Sequence, residues 1–145
     1  MGCSWGYVLD SDAILVDFAG NELPDGWTNS GFTLSDNEAT RSGYAGSLTS
    51  SAVTVADGQK MIIYARGRAT ASASLTVKYT SDNGANWTTA KTFTTEIRKN
   101  TTDYVLLTVD NIAAGNYKLK FDGDNVTIST INGYAYELSA PALGV

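Results

Sequence analysis

Apolar and polar residues alternate with a period of two through most of this chain. In 72–80, Leu75, Val77 and Tyr79 fall on one side, and Thr76, Lys78 and Thr80 on the other. In 117–123, Tyr117, Leu119 and Phe121 alternate with Lys118 and Lys120. This is the pattern of a strand with one face buried. Residues 13–18, 32–36, 59–67, 86–95, 103–112, 125–131 and 133–138 also read as strands, and 39–55 as two short ones around Gly43 and Gly46. Turn clusters separate them at 20–31, 56–58, 81–84 and 113–116. The two prolines, Pro24 and Pro141, fall where loops are expected, and no segment sustains a helical period. Roughly eight to ten strands with such turn spacing predict an all-β fold, a two-sheet antiparallel β-sandwich of the jelly-roll kind. The reading assigns residues 1–12 to a leader or edge segment and 13–145 to a single sandwich domain.

Composition narrows the function. The 145 residues can bury a sizeable core. Charged residues make up 17%, and 18 Thr and 13 Ser take their place; about 25% charged is ordinary. The net charge of −5, with no Lys/Arg cluster beyond Arg66 and Arg68, excludes a nucleic-acid partner. No apolar window approaches the roughly 18 residues of a transmembrane helix. There is no histidine, so the commonest general base and metal ligand are missing. Cys3 is the one cysteine, so no internal disulfide forms. No hydrophobic stretch precedes it to mark a lipidation signal.

Few motifs carry chemistry. Thr80-Ser81-Asp82-Asn83-Gly84-Ala85-Asn86-Trp87 has the Asp-box pattern of sialidase propellers. A propeller repeats it every ~40–50 residues; here it occurs once and reads as a structural hairpin. Asp17, Glu22, Asp25, Asp36 and Glu38 gather around the first strand and its loop. Hard cations take several oxygens from such loops. No cofactor is required; a structural calcium held by Asp17 and Glu22 is the one ion expected, against solvated loop acids as the plainer reading. No acid pair is placed as glycosidases need, so an enzyme is not expected. Asn86, Asn100 and Asn125 begin N-x-S/T triplets, which would mean little if the source is bacterial.

Aromatics remain. Tyr79, Tyr117 and Phe121 read as core, and Trp27 and Trp87 as packing residues. Tyr64 shares a face with Ile62, Arg66 and Arg68, and Tyr134 and Tyr136 share one with Asn132 and Leu138. A sugar surface needs rings for the apolar sugar faces and fixed polar groups for the hydroxyls. Tyr64, Arg66, Arg68, Asn132, Tyr134 and Tyr136 are therefore the candidate ligand residues, with core or edge aromatics as the alternative.

Several phrases occur in a telling order: Leu23-Pro24-Asp25-Gly26-Trp27-Thr28, then 52–67, then the hairpin of 75–89, then 115–123 and a last strand with an aromatic doublet. This order resembles the adhesin-type jelly-roll domains of gut and oral bacteria (the gingipain-adhesin and MAM-like domains), which are similar to several carbohydrate-binding modules. The resemblance covers about residues 13–138. It implies adhesion, glycan binding or domain spacing, and no catalysis. It implies a secreted or cell-surface setting, neighbouring domains in a larger chain, and a polysaccharide or glycoprotein glycan as partner. Family members often end in an isoleucine-Asp-Asp pattern that helps hold calcium. Here the stretch is Ile131-Asn132-Gly133, so that acidic ligand is missing. The expectation is a non-catalytic carbohydrate-binding module; a structural or protein-adhesion spacer is the rival.

Overall fold

The computed structural model describes residues 6–9, 14–58, 60–68, 71–97 and 101–138, and for 6–9 and 133–138 the backbone alone. In chain order the described strands are β1 (Gly6–Leu9), β2 (Ile14–Val16), β3 (Thr28–Ser30), β4 (Thr33–Ser35), β5 (Glu38–Arg41), β6 (Gly46–Thr49), β7 (Val53–Val55), β8 (Lys60–Arg66), β9 (Ser74–Thr80), β10 (Thr88–Phe93), β11 (Val105–Val109), β12 (Gly115–Asp124) and β13 (Val126–Leu138). A 3-10 turn, Ala19–Asn21, follows β2. The fold is all-β, as the alternation predicts.

The strands form two antiparallel sheets. The seven-stranded sheet runs β11-β8-β13-β5-β4, with β1 and β2 also on β13. The six-stranded sheet runs β10-β9-β12-β6-β3, with β7 also on β12. Each sheet is organised by one long strand. β13 pairs with β8 along one edge, and with β5, β2 and β1 in turn along the other. β12 pairs with β9 on one side and with β6 and β7 on the other.

The inner faces bury Ile63, Ala65, Val126, Ile128 and Ile131 from the first sheet, and Leu48, Leu75, Val77, Leu119 and Phe121 from the second. Burial of such side chains, ~1.5–3 kcal/mol each relative to exposure, drives the sheets together. Trp27 lies against this core, its ring stacked on Phe121 at 6.2 Å between centroids and 5° between planes. Tyr79 and Tyr117 meet edge to face at 5.1 Å. These aromatics pack as the sequence predicts.

Three boundaries differ from expectation, each for a local reason. The first strand stops at Val16 rather than 18, because Phe18 turns left-handed (φ 55°) and buries its ring completely. The connection 20–31 contains β3, whose three residues are all exposed and so carry no apolar alternation. The last two expected strands are one, β13, which runs through Asn132 and Gly133 with its register against β8 shifted between Asn132 and Ala135.

Candidate functional site

Period-two alternation leaves each sheet an outward face, and those faces carry the exposed chemistry. On the six-stranded sheet, Thr89, Lys78, Lys120, Thr49 and Thr28 lie abreast across β10, β9, β12, β6 and β3. The next row is Thr92, Thr76, Asp122, Ser47 and Ser30. Lys118 stands opposite Thr80. Cross-strand bonds fix the middle of this platform. Lys78 Nζ is 2.7 Å from Asp122 Oδ2, and Ser47 Oγ donates to Asp122 Oδ1 at 2.9 Å. Ser74 Oγ donates to Asp124 Oδ2 at 3.1 Å, and the Thr76 and Thr92 hydroxyls are 3.3 Å apart. Trp87 bounds the platform, with Lys120 Nζ 4.3 Å from its ring centroid.

The β9–β10 hairpin places that indole. Thr80 Oγ donates to Asp82 Oδ1 at 2.6 Å, and Asp82 accepts the backbone N–H of Asn86 at 2.9 Å and its side-chain amide at 2.8 Å. Asn83 and Gly84 take positive φ, 58° and 93°, to close the turn. A Cβ on Gly84 would meet the indole at 3.7 Å, so the ring lies over the turn. The Asp-box pattern is thus a built turn.

On the seven-stranded sheet, Tyr64 and Arg66 share the outward face, as predicted. Tyr64 stands between Leu106 and Thr130, and Arg66 opposite Thr127. Arg66 Nη2 reaches across β13 to Glu38 Oε1 at 3.2 Å. Its Nε donates to Tyr104 Oη at 3.2 Å, and its guanidinium carbon is 5.5 Å from the Tyr104 ring centroid. Tyr104 and Leu106 are 48% and 45% exposed. The structure does not bring the whole predicted set together. Asn132 lies on this face opposite Ile62, but the two are 3% and 0% exposed and offer no contact surface. Arg68 lies beyond the strand, half-buried, in an isolated bridge with Ala71. The side chains of Tyr134 and Tyr136 lie outside the described residues.

Asp17 and Glu22 line one cleft of about 370 Å³ with Ile14, Phe18, Leu23 and Pro24. Asp17 Oδ1 already accepts the Ala19 N–H at 3.1 Å. Among the described residues no three His, Cys, Asp or Glu converge on a metal position. Two carboxylates fall short of the six to eight oxygens that roughly complete a calcium shell; carbonyls and water must supply most of it, which fits only a loosely held ion.

Among the described residues two carboxyls are displaced from ordinary values, and both move down. Hydrogen bonds, first from the Thr80 hydroxyl, hold Asp82 at about 2, and backbone N–H bonds from Glu96 itself and Thr94 lower Glu96. Both are held ionised, the reverse of a general acid.

Solved structures to which this chain is similar in fold include carbohydrate-binding modules. A single-site mutant of a family 29 carbohydrate binding module superposes with TM-score 0.55 and 13% identity over 95% of this chain and 99% of that one. A family 29 mutant complexed with cellulohexaose gives 0.55 and 13% over 90% and 91%. The C-terminal family 6 module of LamC, a marine laminarinase from Zobellia galactanivorans, gives 0.50 and 13% over 90% and 99%. No family model and no curated protein matches the chain. At these identities the likeness establishes the jelly-roll fold.

Proposed function

We propose that this domain is a non-catalytic carbohydrate-binding module, of adhesin type, in a secreted or cell-surface protein, where it holds a larger chain to a polysaccharide or glycoprotein glycan. One observation carries the reading: an open, pre-organised polar platform on the six-stranded sheet, bordered by an indole. Sugar hydroxyls need donors and acceptors held in place, and the Lys78–Asp122–Ser47 network supplies them at fixed positions. Sugar C–H faces need a ring, and Trp87 supplies one. The sequence likewise lacks histidine, and the displaced carboxyls are held ionised rather than as acids. A similar fold complexed with cellulohexaose supports the class of ligand. A loosely held calcium at Asp17 and Glu22 belongs to the same proposal as a structural adjunct.

The test is affinity electrophoresis in gels cast with hydroxyethylcellulose, xylan, glucomannan, laminarin and polygalacturonate. Retardation by at least one is expected, with no hydrolysis of any. Free migration through all of them would replace this reading with the spacer domain.

A further inference from the structure

The two outward faces point away from each other, so a second contact on the seven-stranded sheet would touch a different ligand molecule from the first. Its constellation is Tyr104, Leu106, Tyr64, Arg66 and Glu38. We infer that these residues form a second glycan contact, for an uncharged sugar chain, and that the domain therefore grips two chains at once. The inference rests on the carbohydrate-binding reading above.

The patch is amphipathic in the sense a sugar requires. Tyr104, just ahead of β11, and Leu106 within it are two positions apart, roughly 7 Å, and Tyr64 lies one strand over from Leu106, ~4.8 Å away. That area matches one or two sugar rings laid flat. Tyr104 and Leu106 are about half exposed, whereas the Ile62–Asn132 end of the same face is closed. The ring of Tyr104 is held in place, since Arg66 both donates to its hydroxyl and lies beside its ring. A ring already fixed loses little entropy when a ligand stacks on it. The Tyr104 oxygen accepts from Arg66, and its own hydrogen remains a donor. Thr108 and Thr130 add hydroxyls on either side of the patch.

Charge decides the ligand class. Among the described residues of this patch Arg66 is the cation, and Glu38 at 3.2 Å answers it. A uronate or sulfate approaching Arg66 would compete with a carboxylate fixed on a neighbouring strand. A neutral pyranose meets no such competitor. Arg66 therefore positions the tyrosine rather than binding an anion.

The experiment is an amide-resolved NMR titration of the native domain with the neutral hexasaccharides of cellulose, xylan, glucomannan and laminarin, and with hexagalacturonate. Expected are shifts in two groups of amides, one at 64–66 and 104–108 and one at 78 and 120–122, with the first group larger for neutral than for acidic sugar. Tyr104→Ala should weaken the first group about tenfold or more and leave the second unchanged. Leu106→Ser, at an exposed position where folding is safe, should act in the same direction, and Tyr104→Phe should keep most of the response. Shifts in the second group alone would overturn this inference while leaving the function standing. Shifts in the first group alone would overturn bivalency and the assigned platform. Preference of the first group for hexagalacturonate would overturn the ligand class, and no shifts with any sugar would overturn both readings.

Discussion

Lys120 lies on β12 and Trp87 just ahead of β10, two strands that are not neighbours, yet the Lys120 ammonium stands 4.3 Å from the centre of the Trp87 ring. Lysine's apolar stem crosses the sheet while its charge meets the electron-rich indole face, an attraction of ~0.5–1 kcal/mol at an exposed site. The pair, with the Gly84 turn beneath the ring, sets the orientation of the indole at the border of the polar platform.

That clamp predicts an ordering of binding losses. Trp87→Ala removes the stacking ring and should weaken retardation by the retained glycan about tenfold or more, which is ~1.4 kcal/mol. Lys120→Ala frees the ring without removing it and should cost less. Both side chains are half-buried, so the melting temperature of each variant is read alongside to separate lost binding from lost packing. Affinity electrophoresis of both variants checks the ordering; equal mobility of Trp87→Ala and native protein would remove Trp87 from the contact.

Much of this was legible in the sequence. Alternation placed Tyr117, Leu119 and Phe121 inside and Lys118, Lys120, Thr76 and Lys78 outside, and the structure agrees. It could not show that β9 and β12 are neighbours, which is what turns two outward rows into one platform; strand adjacency across 40 residues leaves no local signal. The Arg66–Tyr64 face was legible for the same reason. Tyr104 and Glu38 were missed as its partners because they approach from just ahead of β11 and from β5, far along the chain. Asn132 reads as polar and available, but its burial depends on tertiary cover that periodicity does not report. The short strand β3 escaped because its three residues are all exposed and carry no apolar alternation.

A domain with a two-carboxylate cleft should respond to calcium weakly. At a Kd of ~10⁻⁴–10⁻³ M, typical of extracellular modules, trace calcium leaves the site empty. Excess chelator should then leave the melting curve unchanged, while ~10 mM calcium should raise it by mass action. Asp17→Asn with Glu22→Gln should abolish the rise. Differential scanning fluorimetry reads all three, and a rise that survives the double substitution would place the ion elsewhere.

Phe121 is fully buried at the centre of the six-stranded sheet and stacks on Trp27. Phe121→Ala should cost ~3–5 kcal/mol, the transfer loss plus an unfilled cavity. Phe121→Leu keeps most of the volume and should cost less. Urea unfolding with an unchanged slope measures both. A loss under ~1 kcal/mol for the alanine variant would mean that the inner face is not packed as described.

The hairpin that carries Trp87 should be acid-sensitive in a defined window. The Thr80 hydroxyl donates to Asp82 at 2.6 Å, and Asn86 donates twice more at 2.9 and 2.8 Å. In turn the nearly buried Thr80 oxygen accepts the backbone N–H groups of Asp82 at 3.3 Å and Gly84 at 3.0 Å. Every bond to Asp82 favours its ionised form, so its pKa falls from 3.8 to about 2. With the folded value below the unfolded one, the unfolded chain binds more protons between the two. The stability that this group contributes is therefore fully present above about pH 4 and lost as pH falls toward about 2. Asp82→Asn should remove that part of the pH dependence, so the melting-temperature gap between native and variant should be largest above pH 4 and shrink by pH 2. Thr80→Val should raise the Asp82 titration midpoint, read by carboxyl-carbon NMR, whereas Thr80→Ser should keep it low. A native midpoint near 3.8 would show that the Thr80–Asp82–Asn86 network does not form in solution. The hairpin would then no longer be what fixes Trp87 at the platform's border.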